Sequence, residues 1–253
     1  MIDDAKPPTE DKLRHPCFPQ PSAGTTRVWR YLDLAKLVWL LERKQLYLSR
    51  LDLLNDPHEG SIPSLAVLVR EQQCRELGAE HAIPQIAALN ERNRFFTYVS
   101  CWHLGNAESE AMWRLYCGDN SGVAIQTTYA ALVRSLESDP HCYIGTVTYI
   151  DYEIGAFPQT NVYYPMMHKR ASFAHEQEVR IIKSDMKAWD TPGQIGEPGI
   201  AIPWDPSASV DAIYVNPYAP EFYRDVVQSV VRQFAPALTD RVQWSAMRAA
   251  PSY

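Results

Sequence analysis

At 253 residues the chain is long enough for one large domain or two small ones, and 46% hydrophobic residues are ample for a buried core. A formal net charge of -6 argues against a protein that grips nucleic acid by bulk positive charge and favours a small or nucleotide-like ligand. Five cysteines, Cys17, Cys74, Cys101, Cys117 and Cys142, are odd in number and never spaced Cys-x-x-Cys, so neither a disulfide framework nor a structural zinc site is expected.

Residues 1–26 are proline-bearing and lack hydrophobic periodicity, which predicts an irregular N-terminal arm laid over the surface or mobile. Val28 to Leu32 reads as a strand. Asp33 then stands as a helix cap before Leu34, Leu37, Val38 and Leu41, the stripe of an amphipathic helix. Leu46 to Ser49 returns as a strand, and Leu53-Leu-Asn-Asp-Pro-His-Glu-Gly-Ser61 is dense in turn formers and predicts a loop. Helical sequence interrupted by Pro63 and Pro84 follows to about Asn93.

Phe95 to Trp102 has the aromatic and β-branched content of a buried strand, and Glu108 to Tyr116 reads as a helix. Trp102, Met112, Trp113 and Tyr116 are assigned to the core, with Trp102 also placed to stack a flat ring. Gly122 to Thr127 predicts a strand, Tyr129 to Leu136 a helix, and Tyr143 to Ile150 one alternating strand. Further strands are expected at Val179 to Lys183, Gly199 to Ile202, Val210 to Val215 and around Val242, with a helix from Pro220 to Phe234. This irregular mixture predicts one α+β domain over 27–253, with a mixed, largely antiparallel sheet flanked by helices. No apolar run approaches the roughly 20 residues of a membrane span, and the N-terminus lacks the order of a signal peptide; the expectation is cytoplasmic, without membrane contact.

The densest chemistry lies in His168 to Lys183, expected at a helix-to-strand junction. Glu176 and Glu178, two apart at the start of an extended segment, are expected to project to one side, with Arg180 beside them. Lys169, Phe173 and Glu176 are spaced as one exposed helical face, and the adjacent Arg170 extends it into a phosphate-facing patch. The Asn55 to Glu59 loop is expected to line the same site.

The succession Val28-Trp-Arg-Tyr31, Leu53-Leu-Asn-Asp-Pro-His-Glu-Gly60, Val99-Ser-Cys-Trp-His103, Glu108 to Tyr116, Lys169 to Arg180 and Tyr214-Val-Asn-Pro217 resembles the bacterial domain-of-unknown-function family numbered 2971. The resemblance covers about Arg27 to Ser245 and implies a bacterial cytoplasmic context. A second resemblance, to ADP-ribosyltransferases of the Arg-Ser-Glu type, rests on Arg30, Ser100 and Glu176-Gln-Glu178 in that order. It implies an ADP-ribosyltransferase-like fold and NAD as substrate, with no metal. Glu178 would stabilise the oxocarbenium-like centre and Glu176 would serve the acceptor, whether protein, nucleic acid, small molecule or water. Arg30 would pair with the pyrophosphate and Ser100 with the nicotinamide ribose.

Two alternatives accompany this reading. Asp56, His58, Glu59 and His103 supply metal-type donors and would suit a metal-dependent hydrolase or nuclease, although no His-Glu-x-x-His spacing is present. A pocket that binds a nucleotide without turnover is the third class.

Overall fold

The computed structural model describes residues 15–118, 120–185 and 195–251. Its strands are β1 (Arg27–Leu32), β2 (Gln45–Arg50), β3 (Thr97–Leu104), β4 (Val123–Thr128), β5 (Cys142–Thr146), β6 (Thr148–Ile150), β7 (His168–Arg170), β8 (Glu178–Ser184), β9 (Gly199–Pro203), β10 (Ala212–Val215) and β11 (Val242–Trp244). Between them lie α1 (Leu34–Arg43), α2 (Ser64–Glu76), α3 (Ala82–Arg94), α4 (Glu110–Cys117), α5 (Tyr129–Ser135), α6 (Pro206–Ser209) and α7 (Glu221–Phe234). The class is α+β with mixed, mostly antiparallel pairing, as composition and periodicity predict. Among the described residues no helix is long and apolar enough to cross a membrane.

Local chemistry explains where elements begin and end. Asp33 caps α1 by accepting from the Lys36 amide at 2.8 Å, and Leu37, Leu40 and Leu41 are its buried stripe. Pro63 precedes α2 and Pro84 sits in the first turn of α3, where a missing amide costs little. The break between these helices falls instead at Leu77 and Gly78, whose φ of +65° ends the helical path. Two expected elements are corrected. Tyr143 to Ile150 is not one strand: it divides at Val147 into β5, antiparallel to β8, and β6, parallel to β7. His168 to Glu176 is not a helix but β7 followed by a 3-10 turn, Ala171–Glu176.

The described residues form two compact units. The first comprises residues up to Gln20, Leu48–Ser100 and His141–Ile200; the second comprises Pro21–Tyr47, Cys101–Pro140 and Ala201 onward. The chain passes from one to the other five times, within β2, β3 and β9 and at Gln20–Pro21 and Pro140–His141 outside the strands.

In the first unit, β8 lies between β5 and β3, with Gly145 of β5 opposite Arg180 of β8. The first half of β3 pairs with β2 through Ser49 and Val99. The N-terminal arm is irregular, but it is not a loose surface layer where described. Cys17 and Phe18 are buried, Phe18 stacks on Tyr143 at 5.0 Å, and the Thr146 amide donates to Pro19 O at 2.8 Å. Residues 1–14 of that arm lie outside the described residues.

Gly145 makes the arm's close approach possible, since a Cβ there would meet Phe18 backbone atoms at 2.8 and 2.9 Å. Gly145→Ala should therefore destabilise the protein by about 1–3 kcal/mol, the usual range for overpacking. A thermal melt lowered by several degrees is the expected reading, and an unchanged melt would mean the arm does not seat there.

In the second unit, β4 runs between β1 and β10, both antiparallel to it, and β11 joins β10 in parallel. The second half of β3 pairs with β1 through Trp29 and His103. Trp29 and Tyr31 pack with Met112, Trp113, Cys117 and Ala124, and the Trp113 ring meets Tyr31 edge-on at 5.0 Å. Met112, Trp113 and Trp102 are buried as expected, whereas Tyr116 faces outward from α4 and is 44% exposed.

Candidate functional site

The Asn55-Asp-Pro-His-Glu-Gly60 turn is built by its own residues. Asp56 Oδ1 accepts from the His58 amide at 3.0 Å, Asp56 O accepts from the Glu59 amide at 3.0 Å, and Gly60 takes a φ of +72°. This geometry buries two carboxylates while leaving Asn55 and His58 exposed. Asp56 accepts two hydrogen bonds from Arg170, Nη2 to Oδ1 at 2.8 Å and Nε to Oδ2 at 3.1 Å, the planar fork of a bidentate pair. Glu59 faces Arg180 in the same manner, at 2.9 and 3.2 Å.

At the centre lies Lys169, buried on β7. Its Nζ is 2.5 Å from Glu176 Oε2, 2.7 Å from Glu178 Oε1 and 3.2 Å from Glu59 Oε1, so three carboxylates surround one ammonium. Arg180, whose side chain is wholly buried, adds Nη2 to Glu178 Oε2 at 2.8 Å and donates from Nη1 to Met166 O at 2.7 Å. Tyr149 fixes the start of β8 by accepting from the Glu178 amide at 2.8 Å. Lys169 also stands over the Phe173 ring at 4.6 Å. The expected Lys169, Phe173 and Glu176 grouping therefore exists, but with Lys169 and Glu176 buried and Phe173 half-buried rather than as an exposed helical stripe.

Glu176 and Glu178 converge as predicted, though not by strand alternation. Glu176 ends the 3-10 turn, Glu178 begins β8, and Gln177 between them holds the left-handed conformation with φ of +42°. That backbone state is uncommon for a residue other than glycine and is what turns both carboxyl groups toward Lys169.

The two carboxyl groups are pushed in opposite directions. Burial opposes ionisation of Glu178, but Arg180 and then Lys169 outweigh it and hold the carboxyl well below the usual carboxylate range. Burial, and then the hydrogen bond to Glu178, raise the Glu176 carboxyl to about 7 against the pull of Lys169. Lys169 is opposed by burial too, yet Glu178 and Glu59 hold its ammonium well above the ordinary lysine range. With Glu176 protonated, Glu59 and Glu178 balance Lys169 and Arg180.

The other sequence-predicted residues are placed as follows. Ser100, at the end of the first unit's part of β3, is buried and its Oγ has no hydrogen-bond partner. In the second unit, Arg30 Nη2 donates to Tyr47 O at 3.1 Å and the guanidinium stands 5.7 Å from the centre of the Trp102 ring. Arg30 Nη1 and Trp102 Nε1 are buried without partners, and burial lowers the Arg30 guanidinium to about 10. His103 is buried beside Tyr31, with ring centres 6.3 Å apart.

The metal alternative is not assembled. Asp56 and Glu59 are occupied by guanidinium groups, His58 packs edge-on against Tyr152 at 5.6 Å, and no group of three His, Cys, Asp or Glu side chains suited to a metal exists among the described residues. Sequence reasoning missed Tyr149, an ordinary member of an alternating apolar stretch; it placed the Asn55 to Glu59 loop at this site but offered Glu59 only a metal role, not the pairing with Lys169 and Arg180.

Residues 112–181 match the model of the family described as protein of unknown function (DUF2971), which bears out that resemblance over a shorter stretch than the motifs span. No curated protein and no solved structure matches the chain.

Proposed function

We propose that Glu176 and Glu178 are the reacting carboxyl pair of an NAD-dependent ADP-ribosyltransferase or NAD glycohydrolase, with an ADP-ribosyltransferase-like architecture and a cytoplasmic setting. The observation that carries the reading is the pair itself: two carboxyl groups two residues apart on one ammonium, one held ionised and the other titrating near neutrality. Separated protonation of this kind fits one group to charge stabilisation and the other to proton transfer.

In this reading the bond between nicotinamide and ribose breaks with its electron pair leaving on nicotinamide. Glu178, anionic and oriented by Arg180, stabilises the positive charge that develops at the sugar. Glu176, once ionised, takes the proton of the attacking acceptor as the new bond to the sugar forms, whereas in hydrolysis the attacking water gives its proton to solvent. Arg170, partly exposed and held flat by Asp56, is placed to meet a phosphate of the nucleotide. Ser100, in the same unit as the carboxyl pair, retains the ribose role that the resemblance implies, and Asn55 its place in the lining loop.

A nucleotide-binding module without turnover is favoured by one observation, that both Glu178 oxygens are already engaged by Lys169 and Arg180. Incubation of the purified protein with NAD, with and without cell extract as an acceptor source, separates the two. Nicotinamide release unaffected by a chelator is the expected result. NAD-dependent thermal stabilisation without release would transfer the site to the binding module, and neither response would end both readings.

A further inference from the structure

Glu59 touches both buried cations from outside β7, β8 and the turn between them. Its side chain is 1% exposed, its oxygens face Arg180 Nη1 and Nη2, and Oε1 also lies 3.2 Å from Lys169 Nζ. The turn that carries it requires glycine at position 60, where φ is +72° and a Cβ would meet Leu51 Cδ2 at 2.7 Å, and the contacts to Arg180 and Lys169 hold the carboxylate in place. Glu59 therefore presents a fixed negative charge to a fixed pair of cations.

We propose that Glu59 is the positioning residue of the carboxyl pair: by clamping Lys169 and Arg180 it supplies the second of their two counter-charges and leaves Glu176 holding a proton. The part of Glu176 in catalysis, as the base that acts once this proton has left, rests on the reading above, but the retention of the proton does not. The charged and titratable groups around the pair include Lys169 from β7, Glu178 and Arg180 from β8, Tyr149 from β6, Tyr152 facing Glu59 and Arg180, Glu59 with the Asp56–Arg170 pair beside it, and His175 on the exposed side of the 3-10 turn. Among the three carboxyl groups on Lys169, Glu59 and Glu178 each also bind Arg180. Three carboxyl groups face two cations, and Glu176, the one that shares a hydrogen bond with Glu178, is the group that carries the proton.

The test is a carboxyl-carbon NMR titration of Glu176 in the full chain. In folded Glu59→Gln, Lys169 and Arg180 face Glu178 alone, so Glu176 should be recruited as their second anion, and its proton affinity should fall by about tenfold or more. Glu59→Asp keeps the charge but withdraws it by one methylene, and should give a smaller shift in the same direction. Should Glu59→Gln not fold, the aspartate variant carries the same test.

An unmoved Glu176 midpoint in a folded variant would overturn the proposal. A purely structural Glu59 would lower the melting temperature without moving that midpoint or the acid limb of the profile for transfer to an acceptor. A shifted midpoint in a protein that releases no nicotinamide keeps the positioning role and removes the enzymatic reading. Release with an unmoved midpoint does the reverse.

Discussion

Glu178→Gln should lower nicotinamide release from NAD by about 10²–10⁴-fold, the range for a positioned charged or proton-transferring group, while leaving NAD binding within a few-fold. Glutamine keeps the shape and one acceptor for Arg180 but not the anion, so only interactions that strengthen as charge develops at the sugar are lost. The variant also leaves Lys169 and Arg180 short of a counter-ion, and breaking a buried pair costs about 3–5 kcal/mol. Release must therefore be measured at a temperature where circular dichroism shows the variant folded and NAD still raises its melting temperature. Glu176→Gln is the companion: it should spare hydrolysis and impair transfer to an acceptor. Undiminished release from folded Glu178→Gln would sink the mechanism.

The second large effect is on stability. Lys169→Met leaves Glu59, Glu176 and Glu178 facing Arg180 alone, and a loss of about 3–5 kcal/mol is expected at pH 8. The cost should shrink at pH 5. The wild-type groups fix the signs. Lys169 is raised above its usual 10.5, so its contribution is complete below that pH and fades only as pH rises through the folded value. Glu178 is depressed below 4.5, so its contribution is present above that pH and is lost as pH falls through the folded value. Glu176 is raised from 4.5 to about 7, so the folded state keeps a proton the unfolded chain releases, and its contribution declines between those values as pH rises. Urea unfolding at pH 5 and pH 8 reads the difference, and equal midpoints for wild type and variant at pH 8 would show that Lys169 does not hold the cluster.

The parts of this molecule that could be read from sequence are those whose cause is local. The Asp33 cap and the leucine stripe of α1 are complete within ten residues, and β4, β8 and α7 follow from periodicity in the same way. What sequence did not reveal depends on distant partners. The alternation of Tyr143 to Ile150 carries no mark of the change from β8 to β7 as partner at Val147. A lysine, three glutamates and an arginine favour the surface on average, and only their mutual pairing allows them inside. The convergence of Glu176 and Glu178 hangs on Gln177, since glutamine does not announce a left-handed turn as glycine would.

The passage of the chain between units inside strands has a consequence for how the molecule is assembled in time. The family-matched stretch 112–181 begins in α4 and β4 of the second unit and ends in β8 of the first, so it supplies β4 without β1 or β10, and β8 without β3. Neither unit is finished as the ribosome delivers it: β1 emerges long before β10 and β11, and Glu59 waits for Lys169 and Arg180. Such long loop closures precede the contacts that reward them, the feature that slows folding in chains built from distant pairings.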